Sequence, residues 1–323
     1  MRKYGRIALA LVAALALFAA IAAYGGWRGA GPLEETTTIT IDDGMTLTDA
    51  AHRLEEAGVI SSADRFLTFA RFLGGSAPIR AGEYEMPAEV SQGEVLRILQ
   101  QAVPVQRFVT IPEGMPSVLV HDRLMANDLL TGEIPVPAEG SLLADSYAYE
   151  RGESRAAVVA RMQSAMEREL ARLWEARSPN TVVRSPREAV ILASIVEKET
   201  GVAAERPIIA GVYSNRLRIG MRLQADPTII YPVTQGRPLG RRIRRSEIAQ
   251  QNGYNTYAMD GLPRGPIANV GREAIEAVLN PAETDALFFV ANGEGGHIFA
   301  ETHAEHRRNV ERWYAIRRQR GEM

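Results

Sequence analysis

The 323-residue chain has no cysteine, which excludes disulfides, thiolate nucleophiles and cysteine-ligated metals. Lysine is nearly missing as well: only Lys3 and Lys198 occur among 37 basic residues. No chemistry requires that bias, and it reads as coding preference. Basic and acidic residues almost cancel, leaving a formal charge of −2. A bulk positive surface is therefore absent, and no nucleic-acid partner is expected. No internal repeat is evident, and only one long stretch lacks charge.

That stretch is residues 7–24, IALALVAALALFAAIAAY. Its length is close to the roughly 20 apolar residues that span a bilayer, and exceeds the roughly 7–15 usual in a cleaved leader. Arg2, Lys3 and Arg6 precede it and favour a cytoplasmic N-terminus, while Tyr24 and Trp27 suit the far interface. The expectation is a cytoplasmic tail at 1–6, a single-pass inner-membrane anchor at 7–27 and a glycine-rich linker at 28–35. The remaining chain would lie on the outer, periplasmic side.

After the linker, Thr36 to Ile41 alternates β-branched residues as a strand does. Two helical segments follow, from Thr46 to Gly58 and from Ser62 to Leu73, the second with Phe66, Phe69, Phe72 and Leu73 on one side. GEYEM, Gly82 to Met86, reads as a second strand, and Ser91 to Ala102 as a helix opened by a capping box of Ser91 and Glu94. The expected fold class is α+β: an N-terminal transmembrane helix, a small α+β module at 36–104 and a larger α+β catalytic domain at 105–318.

Ser185 to Gly201, SPREAVILASIVEKETG, is the stretch that organises the rest. Ser185 at the N-cap, Pro186 at N1 and Glu188 three residues on form a helix start, and Gly201 is the expected stop. AVILASIV is too apolar for a surface helix. At 100° per residue Glu197 and Glu199 point to nearly opposite sides. Glu199 shares its face with Leu192, Ile195 and Val196; Glu197 shares its face with Val190, Ala193 and Ser194. The bulkier wall and the negative end of the helix dipole raise a carboxyl pKa, as a general acid requires. The competing reading leaves both glutamates on a solvated last turn.

Downstream come SNRLRIGMRLQADPTIIY from Ser214, YNTYAMDGLPRGPIAN from Tyr254, LNPAETDALFFVANGEGGHIF from Leu279 and THAEHRRNV from Thr302. With IVEKETG, these collinear segments resemble the endolytic murein transglycosylase family (MltG, or YceG-like). The likeness is strong over 185–315 and continuous back to about residue 36. The resemblance implies that Glu199, the second glutamate of the E-K-E triplet, is catalytic. It also implies that 36–104 is a LysM-like module, that the substrate is the peptidoglycan glycan strand, and that peptidoglycan synthases at the membrane are partners. Leu143, Ala144 and Ser146 depart from the family's E-G-Y-L-F-P-D-T-Y stretch, and Arg264 replaces the second proline of its G-L-P-P-G loop.

Six residues are candidate sugar contacts. Gln224 and Asp226 are polar groups in an apolar setting, with Asp226 held extended by Pro227. Tyr231, Tyr254 and Tyr257 offer ring faces, and Asn255 offers an amide for an acetamido group. His303 and His306 have metal-compatible spacing but no third ligand pattern, so neither a metal nor another cofactor is expected. The Arg241–Arg245 cluster reads as a solvated face or as a contact for stem-peptide carboxylates or anionic lipid headgroups, and an isolated His297 as structural. Three functions fit: a lytic transglycosylase using one carboxylate, a non-catalytic glycan-binding scaffold, and a hydrolase using Asp226 or Glu197 as second carboxylate.

Overall fold

The computed structural model describes residues 2–322; in the first helix the side chains of residues 2–6, 8–10, 16, 19, 20 and 23 lie outside that description. The chain divides into two compact units, Met1–Arg107 and Phe108–Met323. The fold is mixed α+β.

The first unit contains α1 (Arg2–Arg28), β1 (Thr37–Ile41), α2 (Leu47–Glu56), α3 (Ala63–Leu73), β2 (Gly82–Met86) and α4 (Gln92–Gln101). β1 and β2 pair antiparallel, Thr37 opposite Met86 and Ile41 opposite Gly82. Strand alternation turns Ile39 and Ile41 inward, where Tyr84 and Met86 join them. Thr46 and Asp49 close a capping box on α2. Ser91 caps α4, but Glu94 bonds Arg97 rather than reaching back. The expected aromatic face of α3 needs correcting. Phe66 is buried, yet Phe72 is 78 % exposed and Leu73 46 %. A three-residue spacing drifts by about 60° per step around a helix, so Phe72 has rotated out of the core. Trp27 fills in instead, its ring 6.1 Å from Phe66 and 6.2 Å from Phe69.

α1 is helical throughout the anchor expected at 7–27, part of which falls on side chains outside those described. Among the described residues no helix is long and apolar enough to cross a membrane.

The second unit begins with β3 (Arg107–Thr110), which crosses the boundary, and continues with α5 (Ser117–Met125), β4 (Ser146–Tyr149), α6 (Arg155–Glu175), α7 (Pro186–Glu199) and α8 (Arg206–Arg218). Then follow α9 (Pro227–Thr234), α10 (Arg245–Ile248), α11 (Arg272–Leu279), β5 (Phe288–Ala291), β6 (His297–Ala300) and α12 (His303–Gln319). β3 joins β4, and β5 pairs with β6 as a hairpin with Phe289 opposite Phe299.

α7 is the central element, packed against α6, α8, α9 and α11. Every residue from Ala189 to Glu197 is buried. Its start follows the sequence: the Ser185 hydroxyl accepts from Glu188 N at 3.2 Å, with Pro186 at N1. Its end falls where the sequence places it, but by another device. Thr200, in extended conformation, is the C-cap, and its hydroxyl accepts from Val202 N and donates to Glu205. With the turn satisfied by a side chain, Gly201 stands at C′ without the left-handed conformation usual there.

Candidate active site

Glu199 ends α7 inside a cavity of about 310 Å³. Tyr213 and Arg216 of α8, Phe288 and Phe289 of β5, and His303 and His306 of α12 line the same cavity, together with Gln224, Asp226 and Tyr257. The Tyr213 phenol donates to Glu199 Oε1 at 2.9 Å. Burial is the dominant influence on Glu199 and lifts its pKa to about 7; the Tyr213 bond opposes this, and the Asp226 charge adds to it. A carboxyl with that pKa is half-protonated near neutrality, the condition for giving up and retaking a proton.

The cavity owes its shape to Arg216. Buried beside Glu199, its guanidinium donates to Leu287 O at 2.7 Å and to Leu223 O at 2.5 Å. These bonds tie α8 to the chain just before β5 and just before Gln224. Two groups that sequence separates by more than sixty residues thus converge on one carboxyl. His306 stacks on Phe288 with ring centroids 5.2 Å apart, and His303 meets the same ring edge-on at 5.8 Å. Burial and the Arg216 charge push the His306 pKa down, leaving a neutral imidazole. Among the described residues no group of three or more His, Asp or Glu side chains is placed to hold a metal ion.

The six candidate contacts separate into three groups. Gln224, Asp226 and Tyr257 face the cavity. Gln224 holds a left-handed φ of 52°, unusual outside glycine, fixed by its N–H donating to Thr256 O at 3.2 Å. Asp226 is not extended; its φ of −53° and ψ of −40° are helical. Thr228, whose N–H and hydroxyl both donate to Ala225 O, closes a turn that overrides the usual bias of a residue before proline. Asp226 makes no cap bond, and its carboxylate accepts from the Tyr257 hydroxyl at 2.7 Å.

Tyr231 and Tyr254 pair with each other at 5.1 Å away from that cavity, with Arg264 over the Tyr254 ring. Asn255 is not available to an acetamido group. It is 1 % exposed, its amide donates to Glu247, Ile248 and Gln250 carbonyls, and its oxygen accepts from Tyr257 N. Its role is to hold the loop that presents Tyr257.

Residues 39–312 match the YceG-like family. The chain belongs to that family. It is 24 % identical over 317 residues to the endolytic murein transglycosylase of Bacillus subtilis, covering 88 % of this chain and 87 % of that one. It is 27 % identical over 323 residues to the protein of the same name in Streptococcus pneumoniae, covering 84 % of this chain but 57 % of the longer relative. The crystal structure of a yceG-like protein from Listeria monocytogenes superimposes with a TM-score of 0.53 at 26 % identity, over 85 % of this chain and 98 % of that one. All cavity residues fall inside the YceG-like match, whereas α1 and the linker after it precede it.

In this YceG-like chain the other glutamate of α7 lies in a different setting. Glu197 Oε1 bonds Arg206 at 3.2 Å and its Oε2 accepts from Gly271 N at 3.1 Å. Arg206 also pairs with Glu113 and Glu273. A Cβ at position 271 would meet the Glu113 carboxylate, so a larger residue there would push that side chain off its place beside Arg206. Lys198 donates to Gly114 O at 3.2 Å. Glu197 and Lys198 therefore brace the Glu113–Gly114 loop and face away from the cavity.

Sequence reasoning missed Tyr213, Arg216, Phe288, Phe289 and the two histidines as cavity residues. The histidines were visible as an i, i+3 pair, but that spacing equally suits ring stacking on one face. His297 is structural, its Nδ1 on Glu205 at 2.8 Å.

Proposed function

We propose that this protein is a membrane-anchored, endolytic lytic transglycosylase. It cuts between N-acetylmuramic acid and N-acetylglucosamine in nascent peptidoglycan strands, with Glu199 as acid and then base. One observation carries the reading: a carboxyl with a pKa of about 7 in an aromatic cavity, within a YceG-like match whose relatives bear the name endolytic murein transglycosylase.

Protonated Glu199 gives its proton to the glycosidic oxygen as the C1–O bond breaks, and the bonding pair leaves with that oxygen. An oxocarbenium-like muramic residue remains. The Glu199 carboxylate then takes the proton from the muramic C6 hydroxyl, whose oxygen closes on C1. The products are a free hydroxyl on the departing strand and a 1,6-anhydro-muramic end, with no water consumed. Tyr213 keeps Glu199 aimed, because burial and the adjacent carboxyl push its phenol up and leave it a donor. Asp226, Gln224 and Tyr257 bind the sugar or the developing positive charge.

A second reading, hydrolysis by water, is favoured by Asp226 lining the same cavity as Glu199. Glu197 does not serve it, being committed to Arg206 and Gly271. Mass analysis of purified strands after digestion separates the two: an anhydro end is lighter by one water. Finding only reducing ends would overturn the transglycosylase reading.

The anchor is supported by the uncharged run at 7–24, its basic flank and the outward-facing Leu11, Leu15 and Phe18 of α1. The LysM-like role of 36–104 and the partnership with glycan synthases are supported by the family resemblance. The protein should stay with the membrane fraction through a high-salt wash; a soluble mature form starting near Gly25 would remove the anchor from the proposal.

A further inference from the structure

The largest cleft of the second unit among those described is not the Glu199 cavity. It measures about 1150 Å³ and shares no lining residue with that cavity. It opens at the other end of α7, where Arg184 and Arg187 flank the helix start, and Glu188, Arg218, Glu283 and Asp285 also line it. Arg187 and Glu199 are twelve residues apart on one helix, so the two sites are separated by about 18 Å of helix rise.

The cleft is preformed. Asn215 Nδ2 donates to Thr284 O at 2.6 Å and Ala286 O at 3.1 Å, and Arg218 donates to Asn180 O at 2.5 Å, so its walls are laced together without a ligand. Its charged groups are not all consumed in this. Among the described residues the Arg184 guanidinium and the Glu283 and Asp285 carboxylates have no hydrogen bond or ion pair, and all three residues are exposed. The positive pole of α7 lies at the arginine side and favours an anion there. Between the charges run prolines and Leu262, with no aromatic residue.

That lining selects against sugar, which packs on ring faces, and against a polyanion, which the carboxylates repel. It suits a short peptide carrying both a free carboxylate and a free amine. We propose that this cleft is a docking site for the zwitterionic peptide stem borne by a muramic residue of the strand, some distance from the bond being cut. The identity of that peptide rests on the peptidoglycan reading above. Carboxylates of the stem meet Arg184 and Arg187, and the amine of its diamino acid meets Glu283 and Asp285. Polar groups in a preformed cleft give orientation rather than rate, so the effect belongs to KM.

The test is calorimetric titration of the full chain carrying Glu199→Gln with a synthetic stem peptide, alanyl-γ-D-glutamyl-diaminopimelyl-D-alanine. Saturable binding is expected, weakened at least roughly tenfold by adding Arg184→Glu or Asp285→Lys. Neither side chain holds a partner, so both variants should keep the parent's thermal transition. Acetylating the peptide's amines should weaken binding by less than Asp285→Lys, which also adds repulsion, and the acetylated peptide should no longer sense that substitution. Absent saturation, unchanged binding in both variants, or competition by a peptide-free disaccharide overturns the assignment. A second arm uses otherwise wild-type enzyme on intact strands and on strands stripped of peptide. Arg184→Glu should raise KM on the former only, and an equal KM on both overturns the cleft's role. If the peptide binds as expected but no strand is ever cut, the cleavage reading fails and the cleft assignment stands.

Discussion

Glu197 and Glu199 are two positions apart, and they occupy two chemically different regions around the same helix end. On one side a carboxylate is embedded in ion pairs and backbone bonds with Arg206, Gly271 and the Glu113 loop. On the other a carboxyl faces a cavity walled by aromatic rings, with one phenol as its donor. Burial pushes both pKa values up and a nearby acid adds to each, Glu113 for Glu197 and Asp226 for Glu199; the Gly271 N–H and Arg206 oppose the push on Glu197, and the Tyr213 phenol and Arg216 oppose it on Glu199. A shared direction of shift therefore does not mean a shared role. What separates them is whether the carboxyl has open space in front of it.

The largest expected effect tests that distinction directly. Glu199→Gln should lower strand cleavage by roughly 10²–10⁴-fold, the usual contribution of general acid–base catalysis. Glu197→Gln should stay within about tenfold of wild type, since it is not in the cavity. Cleavage assays of both purified variants, each with an intact thermal transition, decide this; a dead Glu197→Gln beside an active Glu199→Gln would invert the assignment.

Next in size is the pH profile. With Glu199 as the proposed acid, cleavage needs it protonated first, so activity should fall as pH rises through about 7. The Asp226 charge raises that value, so Asp226→Asn should move the alkaline limb to lower pH. The Tyr213 bond lowers it, so Tyr213→Phe should move the limb to higher pH. Shifts of the same sign in both variants would show that the limb belongs to another group.

Stability should separate the two glutamates with opposite sign. A carboxyl raised from 4.5 to about 7 binds more protons folded than unfolded, so its burden on stability appears as pH climbs through that window and is complete above it. Glu199→Gln should then match wild type below pH ~4.5 and exceed it by on the order of 1–3 kcal/mol near pH 8. Glu197→Gln breaks one arm of a buried ion pair and should lose about 1–3 kcal/mol. Arg206 keeps Glu113 and Glu273, which limits the loss. Urea unfolding at several pH values reads both. The smallest effect is Lys198→Ala, which removes one bond to Gly114 O and should cost about 1 kcal/mol or less.

The sequence reading chose Glu199 for a reason the structure modifies. It placed a bulkier wall of Leu192, Ile195 and Val196 beside that residue. Val190 and Ala193 on the other face are buried as well, so α7 is enclosed on all sides and its own apolar pattern does not discriminate. The aromatic wall comes from α8, β5 and α12. Asn255 likewise looked like a ligand because an exposed and a buried asparagine have the same sequence signature between tyrosines.

Sequence by itself determined the local features: the Ser185–Pro186 start of α7, the β1 alternation, the Thr46 cap and the angle that sends Glu197 and Glu199 to opposite sides. Each follows from backbone geometry and side chains within a few residues of one another. Tertiary structure decided which glutamate meets a cation and which meets a cavity. Arg206 and Tyr213 are both on α8, seven residues apart, and their destinations depend on how α8 crosses α7 and on Arg216 fastening Leu223 and Leu287 around it. A carboxyl's pKa is set by such through-space neighbours, and chain spacing does not encode their distances.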